Sequence, residues 1–223
     1  MAVSRIASQD ISNTSGTASV VAVYPAAPTP GNLLIACCYS NVMVANTSIT
    51  GWTNIGSDNA SGGFCTCIFF KAAGTGEATS ITLNGTGAGS LHLVLFEYTG
   101  FSNTPILDQN AVASSGASTV NSQTSGTTAA TAQTPELIIT SVGFAGSGSA
   151  PSWTNGFSAQ LSTTRCFPAD NTVKDTGAYE STITLTGTAV RAAGAIGTFR
   201  SSRTSLYNHL SVRDGMSRSE VAN

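Results

Sequence analysis

Charge is what this sequence lacks most. Only 9% of its 223 residues are Asp, Glu, Lys or Arg, against about 25% in an average soluble domain. Few Lys and Glu argue against a helical or a disordered chain. The net charge of −2 provides no positive field for nucleic acid or an anionic membrane, so neither is an expected partner. Long apolar runs are missing too. The longest cover about eight residues, far short of the ~20 that a spanning helix needs. The opening MAVSRIASQ has no apolar core of the secretory kind, so the chain is expected to fold in the cytoplasm that makes it.

The equipment of catalysis is equally sparse. Histidine occurs twice. His92 alternates with Val94, Phe96 and Tyr98 and reads as a hydrogen-bonded sheet residue. His209 stands far from any candidate nucleophile. No GxSxG elbow, HExxH helix, P-loop or strand-to-helix GxGxxG is present. The glycines at 85–89 follow a strand and lead into no helix. Glu97 shares a face with Leu91, Leu93 and Leu95, and burial there would demand a partner. A glycosidase needs a second carboxylate within about 5–10 Å, and none is signalled. The expectation is a protein without enzymatic activity, cofactor or metal. Asp58-Asn59 and Asp170-Asn171 read as turn formers in polar loops, with spacing unlike a calcium loop.

Cysteine is present in an odd number, five. Cys37 and Cys38 are neighbours and face opposite ways on a strand, whereas Cys65 and Cys67 face the same way. A CxC on one strand is no zinc knuckle. Cys166 falls near the place of Cys67 in a second copy, and all five are expected to be buried free thiols.

What the sequence does hold is strand after strand. Residues 91–100, LHLVLFEYTG, form the most apolar strand-like run, preceded by alternating SITLN at 80–84 and a Gly/Thr turn. The arrangement recurs. NLLIA at 32–36 is answered by ELIIT at 136–140, GWTN at 51–54 by SWTN at 152–155, and TCIF at 66–69 by TRCF at 164–167. SITLNGT at 80–86 is answered by TITLTGT at 182–188, and 91–98 by 192–199. Five matches in one order, each displaced by roughly 100 residues, mark an internal duplication. Neither half has enough alternating surface to close a core alone. The predicted fold is therefore all-β: one antiparallel two-sheet sandwich, jelly-roll-like, built from two related halves over residues 1–200. Residues 112–135, nearly all Ser, Thr, Ala, Gly, Asn and Gln, are read as a crossover, part linker and part extended strand on a flat surface.

Residues 201–223 break the pattern. Five of the nine basic residues lie between Arg191 and Arg218, and apolar residues are sparse. This segment is read as a C-terminal arm packing on another subunit, through Arg200, Arg203, Leu206, Tyr207, Leu210, Arg213 and Arg218. Trp52 and Trp153 occupy equivalent places in the two copies. Each either plugs an end of the sandwich or, beside Asn and Thr, stacks on a sugar.

The order GNLLIA at 31–36, GWTNI at 51–55, FFKAAGTGEAT at 69–79, LVLFEYTGF at 93–101 and PILD at 105–108 resembles a module of bacteriophage structural proteins found in particle and tail-region components. It covers about 30–108 and, more loosely, 135–200. Asn32 replaces the usual acid and Ala78 the usual proline. The resemblance implies a non-enzymatic virion component. A decoration or cement protein on the major capsid protein, in contact with copies of itself, fits the compact unit, the low charge and the arginine-bearing arm. The other reading is a carbohydrate-binding adhesin of a tail tip or head spike, using Trp52 and Trp153.

Overall fold

The computed structural model describes residues 3–41, 48–60, 63–101 and 106–200, with backbone alone at 57–60, 106 and 150. The first half comprises β1 (Ser4–Arg5), a 3-10 turn (Ala7–Gln9), β2 (Ile11–Ser15), β3 (Ser19–Val23), β4 (Leu33–Ser40), β5 (Thr53–Ala60), β6 (Phe64–Ala72), β7 (Ser80–Asn84) and β8 (Leu91–Thr99). The second comprises β9 (Ile106–Ser114), β10 (Ser122–Thr124), β11 (Glu136–Phe144), β12 (Ser149–Trp153), β13 (Ser158–Ala159), β14 (Cys166–Val173), β15 (Thr182–Thr186) and β16 (Ala192–Arg200). That one short turn is the only helical element among the described residues.

The duplication is written into the topology. One large sheet runs β1-β8-β4-β6-β5 with β2 also on β8, and the other runs β9-β16-β11-β14-β13. In each half the first long strand lies beside the last, β2 on β8 and β9 on β16. The second lies beside the penultimate, β3 on β7 and β10 on β15. This inward wrapping is that of a jelly roll.

Alternation then decides the layers. Leu33, Ile35, Cys37 and Tyr39 of β4, with Val94, Phe96 and Tyr98 of β8, meet Leu137, Ile139, Ala193, Ala195 and Phe199 of the second half in one central core. The opposite faces build further cores. Leu34, Ala36, Cys38, Leu91, Leu93 and Leu95 pack under Val20, Ala22, Ile81 and Leu83 of β3 and β7. Val142, Phe144 and Phe167 pack under Ile183 and Leu185 of β15. The expected double sheet from two halves is thus the central pair of four layers. The structure adds an outer sheet to each half, so each half closes a core of its own, contrary to the sequence reading. The reason is that β4, β8, β11 and β16 are apolar on both faces and must be covered twice.

The central core is not symmetric. Register equates Leu33 with Leu137 and Tyr98 with Phe199. It therefore sets large His92, Val94 and Phe96 against small Ala193, Ala195 and Gly197, and Tyr39 against Gly143. A Cβ on Gly143 would stand 2.8 Å from Tyr39 Cδ2 and closer still to Thr66 Oγ1. The glycine is a hole for the other half's tyrosine. Register also moves Cys166 to the place of Thr66, pairing with Gly143 as Thr66 pairs with Tyr39. Cys166 thus faces the central core, while Cys67 faces the outer one. All five cysteines are buried free thiols.

Two loop assignments are corrected. Asp58-Asn59 lies in β5 and Asp170-Asn171 in β14: β5 is a sheet edge, where polar residues are tolerated, and Asp170 is accommodated by hydrogen bonds from Tyr98 and Gln160. Residues 125–131 instead run extended beside the second half's outer sheet, bonding Ser181, Tyr179 and Gly177 through the backbone.

Candidate functional site

Where the two halves meet, polar groups gather at both ends of the central core. At one end His92 enters from β8. It is buried, its Nε2 is 2.9 Å from Ser90 Oγ and its Nδ1 2.7 Å from Thr163 Oγ1 of the other half. Burial, and secondarily Arg165, lower its pKa to about 4, so the ring is neutral. Arg165 Nη1 donates to Ala145 O at 2.7 Å and to Tyr39 Oη at 3.3 Å, and the guanidinium lies over the Tyr39 ring. An open cleft of about 620 Å³ runs along this seam, lined by Thr14, Ser15, Ser90, His92, Thr164 and Arg165 among others. Ser90 and His92 alone make no nucleophile here: the ring's second partner is a hydroxyl, not the carboxylate that would stabilise an imidazolium.

At the other end Tyr98 Oη donates to Asp170 Oδ2 at 2.8 Å across the seam, and Gln160 Nε2 to Oδ1 at 2.6 Å. Arg5 pairs with Asp10 at 3.3 Å. Burial raises the pKa of both Asp10 and Asp170.

Two further carboxyls sit at equivalent ends of the two large sheets, Glu97 near the end of β8 and Glu136 at the start of β11. Glu97 is fully buried and receives Asn32 Nδ2 at 2.6 Å, the Thr29 amide at 2.8 Å and Gln9 Nε2 at 3.0 Å. In the second half the acid has changed strands: Glu136 stands where Asn32 does, and Thr198 where Glu97 does. Glu136 is fully buried beside Asp108 and Arg200, which pair at 3.1 Å. Burial pushes the Glu136 carboxyl up to about 7. The Thr198 hydroxyl opposes the rise, Asp108 adds to it and Arg200 weakly opposes it.

These shifts predict a pH dependence. Between about 4.5 and 7 the folded chain holds a proton on Glu136 that the unfolded chain has released, so stability falls as pH rises through that window. His92 acts oppositely: unfolded histidine binds a proton near 6.5 that the folded ring refuses until about 4. Glu136→Gln is expected to stabilise the protein by roughly 1–3 kcal/mol at pH 8 and by nothing at pH 4. Urea titrations at the two pH values measure this, and an equal gain at both would refute it.

The residues singled out by sequence are scattered. Trp52 is half-buried and lines a separate open cleft of about 290 Å³ with Lys71, Glu77, Ser80, Thr82 and Asn84. Lys71 Nζ pairs with Glu77 there at 2.9 Å. Trp153 is wedged between two apolar clusters, its Nε1 enclosed without a partner. Trp52 likewise packs against the first half's outer cluster; the local pairing differs, since β12 meets β15 at Ser149, Ser152 and Trp153 across a register shift, whereas the stretch before Trp52 makes one bridge, Ser48 to Asn84. Arg200 is engaged inside the fold with Asp108. Arg203, Leu206, Tyr207, Leu210, Arg213 and Arg218 lie outside the described residues. Sequence reading missed Arg165 and Ser90 as cleft residues, since no local pattern reveals a site assembled from both halves.

No family model, curated protein or solved structure matches the chain. Among the described residues no helix is long and apolar enough to cross a membrane, and no group of three or more His, Cys, Asp or Glu is placed to hold a metal.

Proposed function

We propose that this chain is a non-enzymatic structural subunit of a bacteriophage particle, of the decoration or cement type. It would bind the major capsid protein and copies of itself through its outer surfaces and the segment 201–223. One observation carries the reading. β16 is held between β11 and β9 and ends at Arg200, which Asp108 pins, so the arginine-bearing segment that follows starts from an anchored point of a stacked β-body. The low charge supports it, as such surfaces resist association poorly. The motif resemblance over 30–108 supplies the class of particle.

Deleting residues 201–223 is expected to lower occupancy on purified capsids by about tenfold or more, with the melting temperature of the sandwich unchanged. Full occupancy by the shortened chain would sink the proposal. The adhesin reading draws on the Trp52 cleft. Glycan binding lost in Trp52→Ala, with capsid occupancy retained, would replace the first reading by the second.

A further inference from the structure

The seam cleft has the makeup of a binding site that neither reading uses. It is a property of the docked pair: Thr14 and Ser15 come from β2, Ser90 and His92 from β8, and Ser147, Thr164 and Arg165 from two loops of the second half. Its volume of about 620 Å³ lies within the roughly 300–1,000 Å³ of small-ligand sites.

Its chemistry is selective. Among the described residues Arg165 brings the one formal charge of the lining, and no carboxylate lines the cleft. The guanidinium is oriented beforehand by Ala145 O, Tyr39 Oη and the Tyr39 ring, all through Nη1 or the planar face. Its Nε and Nη2 have no partner among the described residues. Arg165 lines the cleft, and those two N–H groups are a fork able to donate to one carboxylate bidentately. Around it stand the hydroxyls of Thr14, Ser147 and Thr164, able both to donate and to accept, with those of Ser90 and Ser15, which already bond His92 and Thr17 and keep a lone pair for a further donor. A single fork surrounded by hydroxyls matches a polyol bearing one carboxylate. Phosphate, carrying about two charges, is served poorly by a single cation.

We infer that this cleft binds a saccharide carrying one carboxylate, of the uronic or sialic acid type, with Arg165 on the carboxylate and the Ser/Thr hydroxyls on the ring. An open site with one charged anchor gives weak monovalent binding, and repeated copies on a particle would multiply it. The inference does not rest on the shell role.

The test is titration of the full chain with D-glucuronic acid and N-acetylneuraminic acid, followed by heteronuclear NMR shifts. D-glucose, acetate and inorganic phosphate are the controls. Dissociation constants of about 1 mM are expected for the acidic sugars. Glucose, acetate and phosphate should each bind at least about tenfold more weakly. Arg165→Lys, which keeps the charge and loses the fork, should weaken the acidic sugars about tenfold. Thr164→Tyr fills the cleft from an exposed position and should abolish binding without lowering the melting temperature, which guards against a fold defect in the arginine variant. The inference is overturned by equal affinity for glucose and glucuronate. Acetate or phosphate binding as tightly as the acidic sugars would also overturn it, leaving only an anion site. So would the absence of any shift up to about 20 mM. None of these outcomes bears on capsid occupancy, so the two proposals fail separately.

Discussion

Replacing Gly143 by valine is expected to cost about 3 kcal/mol or more, near the top of the range for overpacking a core. Valine suits strands, and β11 offers it no local objection. The objection comes from the other half, where Thr66 Oγ1 would press on the first added carbon and Tyr39 Cδ2 would lie 2.8 Å from it, so that removing the tyrosine relieves only part of the clash. Tyr39 is fully buried and has no room to retreat, because its ring packs against Phe64 and edge-on to His92. For a domain of this size that loss lowers the melting temperature by roughly 10 °C. Tyr39→Ala alone should cost about 3–5 kcal/mol by opening a cavity. The double variant is the decisive measurement. If the glycine is a hole for the tyrosine, Tyr39→Ala with Gly143→Val should be less damaging than the sum by about 1–2 kcal/mol. Strict additivity would mean that the two residues do not share one space.

Glu97→Ala should be comparably severe, at about 3–5 kcal/mol, because it strands buried donors instead of only removing a bond. Three N–H groups converge on this carboxylate, from Gln9, Thr29 and Asn32. They belong to the lead-in turn and to the proline-rich connection before β4. Proline supplies no backbone donor, so this connection is held largely through side chains. Gln9 also exchanges two bonds with Ala26, each 3.0 Å. Hydrogen exchange at Thr29 should therefore accelerate with Glu97→Ala before global unfolding does. Glu97→Gln keeps an acceptor and should cost less. An alanine variant within about 1 kcal/mol of the parent, with Thr29 still protected, would show that the connection is held by other means.

Much of this fold is legible in single strands. The alternation of residues 91–98 correctly divides β8 into His92, Val94, Phe96 and Tyr98 on one face and Leu91, Leu93, Leu95 and Glu97 on the other. It also correctly flags Glu97 as an acid in need of a partner. β2 and β9 escaped notice because ISNTS and ILDQNAVAS lack a clean apolar alternation. Backbone ladders to β8 and β16 hold them instead. The polar pairs at 58–59 and 170–171 misled for the same reason: Asp170 is tolerated in β14 because Tyr98, distant in sequence, donates to it. Trp52 and Trp153 are both half-buried against apolar clusters, and they differ in that Trp153 touches two clusters whereas Trp52 lines an open cleft.

The sequence by itself determined the strand class, the twofold repeat and the free buried thiols. Those properties are recorded by side-chain alternation along a single stretch of chain. Only the tertiary structure decided that the halves stack as four layers, that Gly143 receives Tyr39 and that Arg165 and Ser90 share a cleft. Each of those depends on complementary volume or charge between segments far apart in the chain, and no local pattern encodes the shape of a distant neighbour.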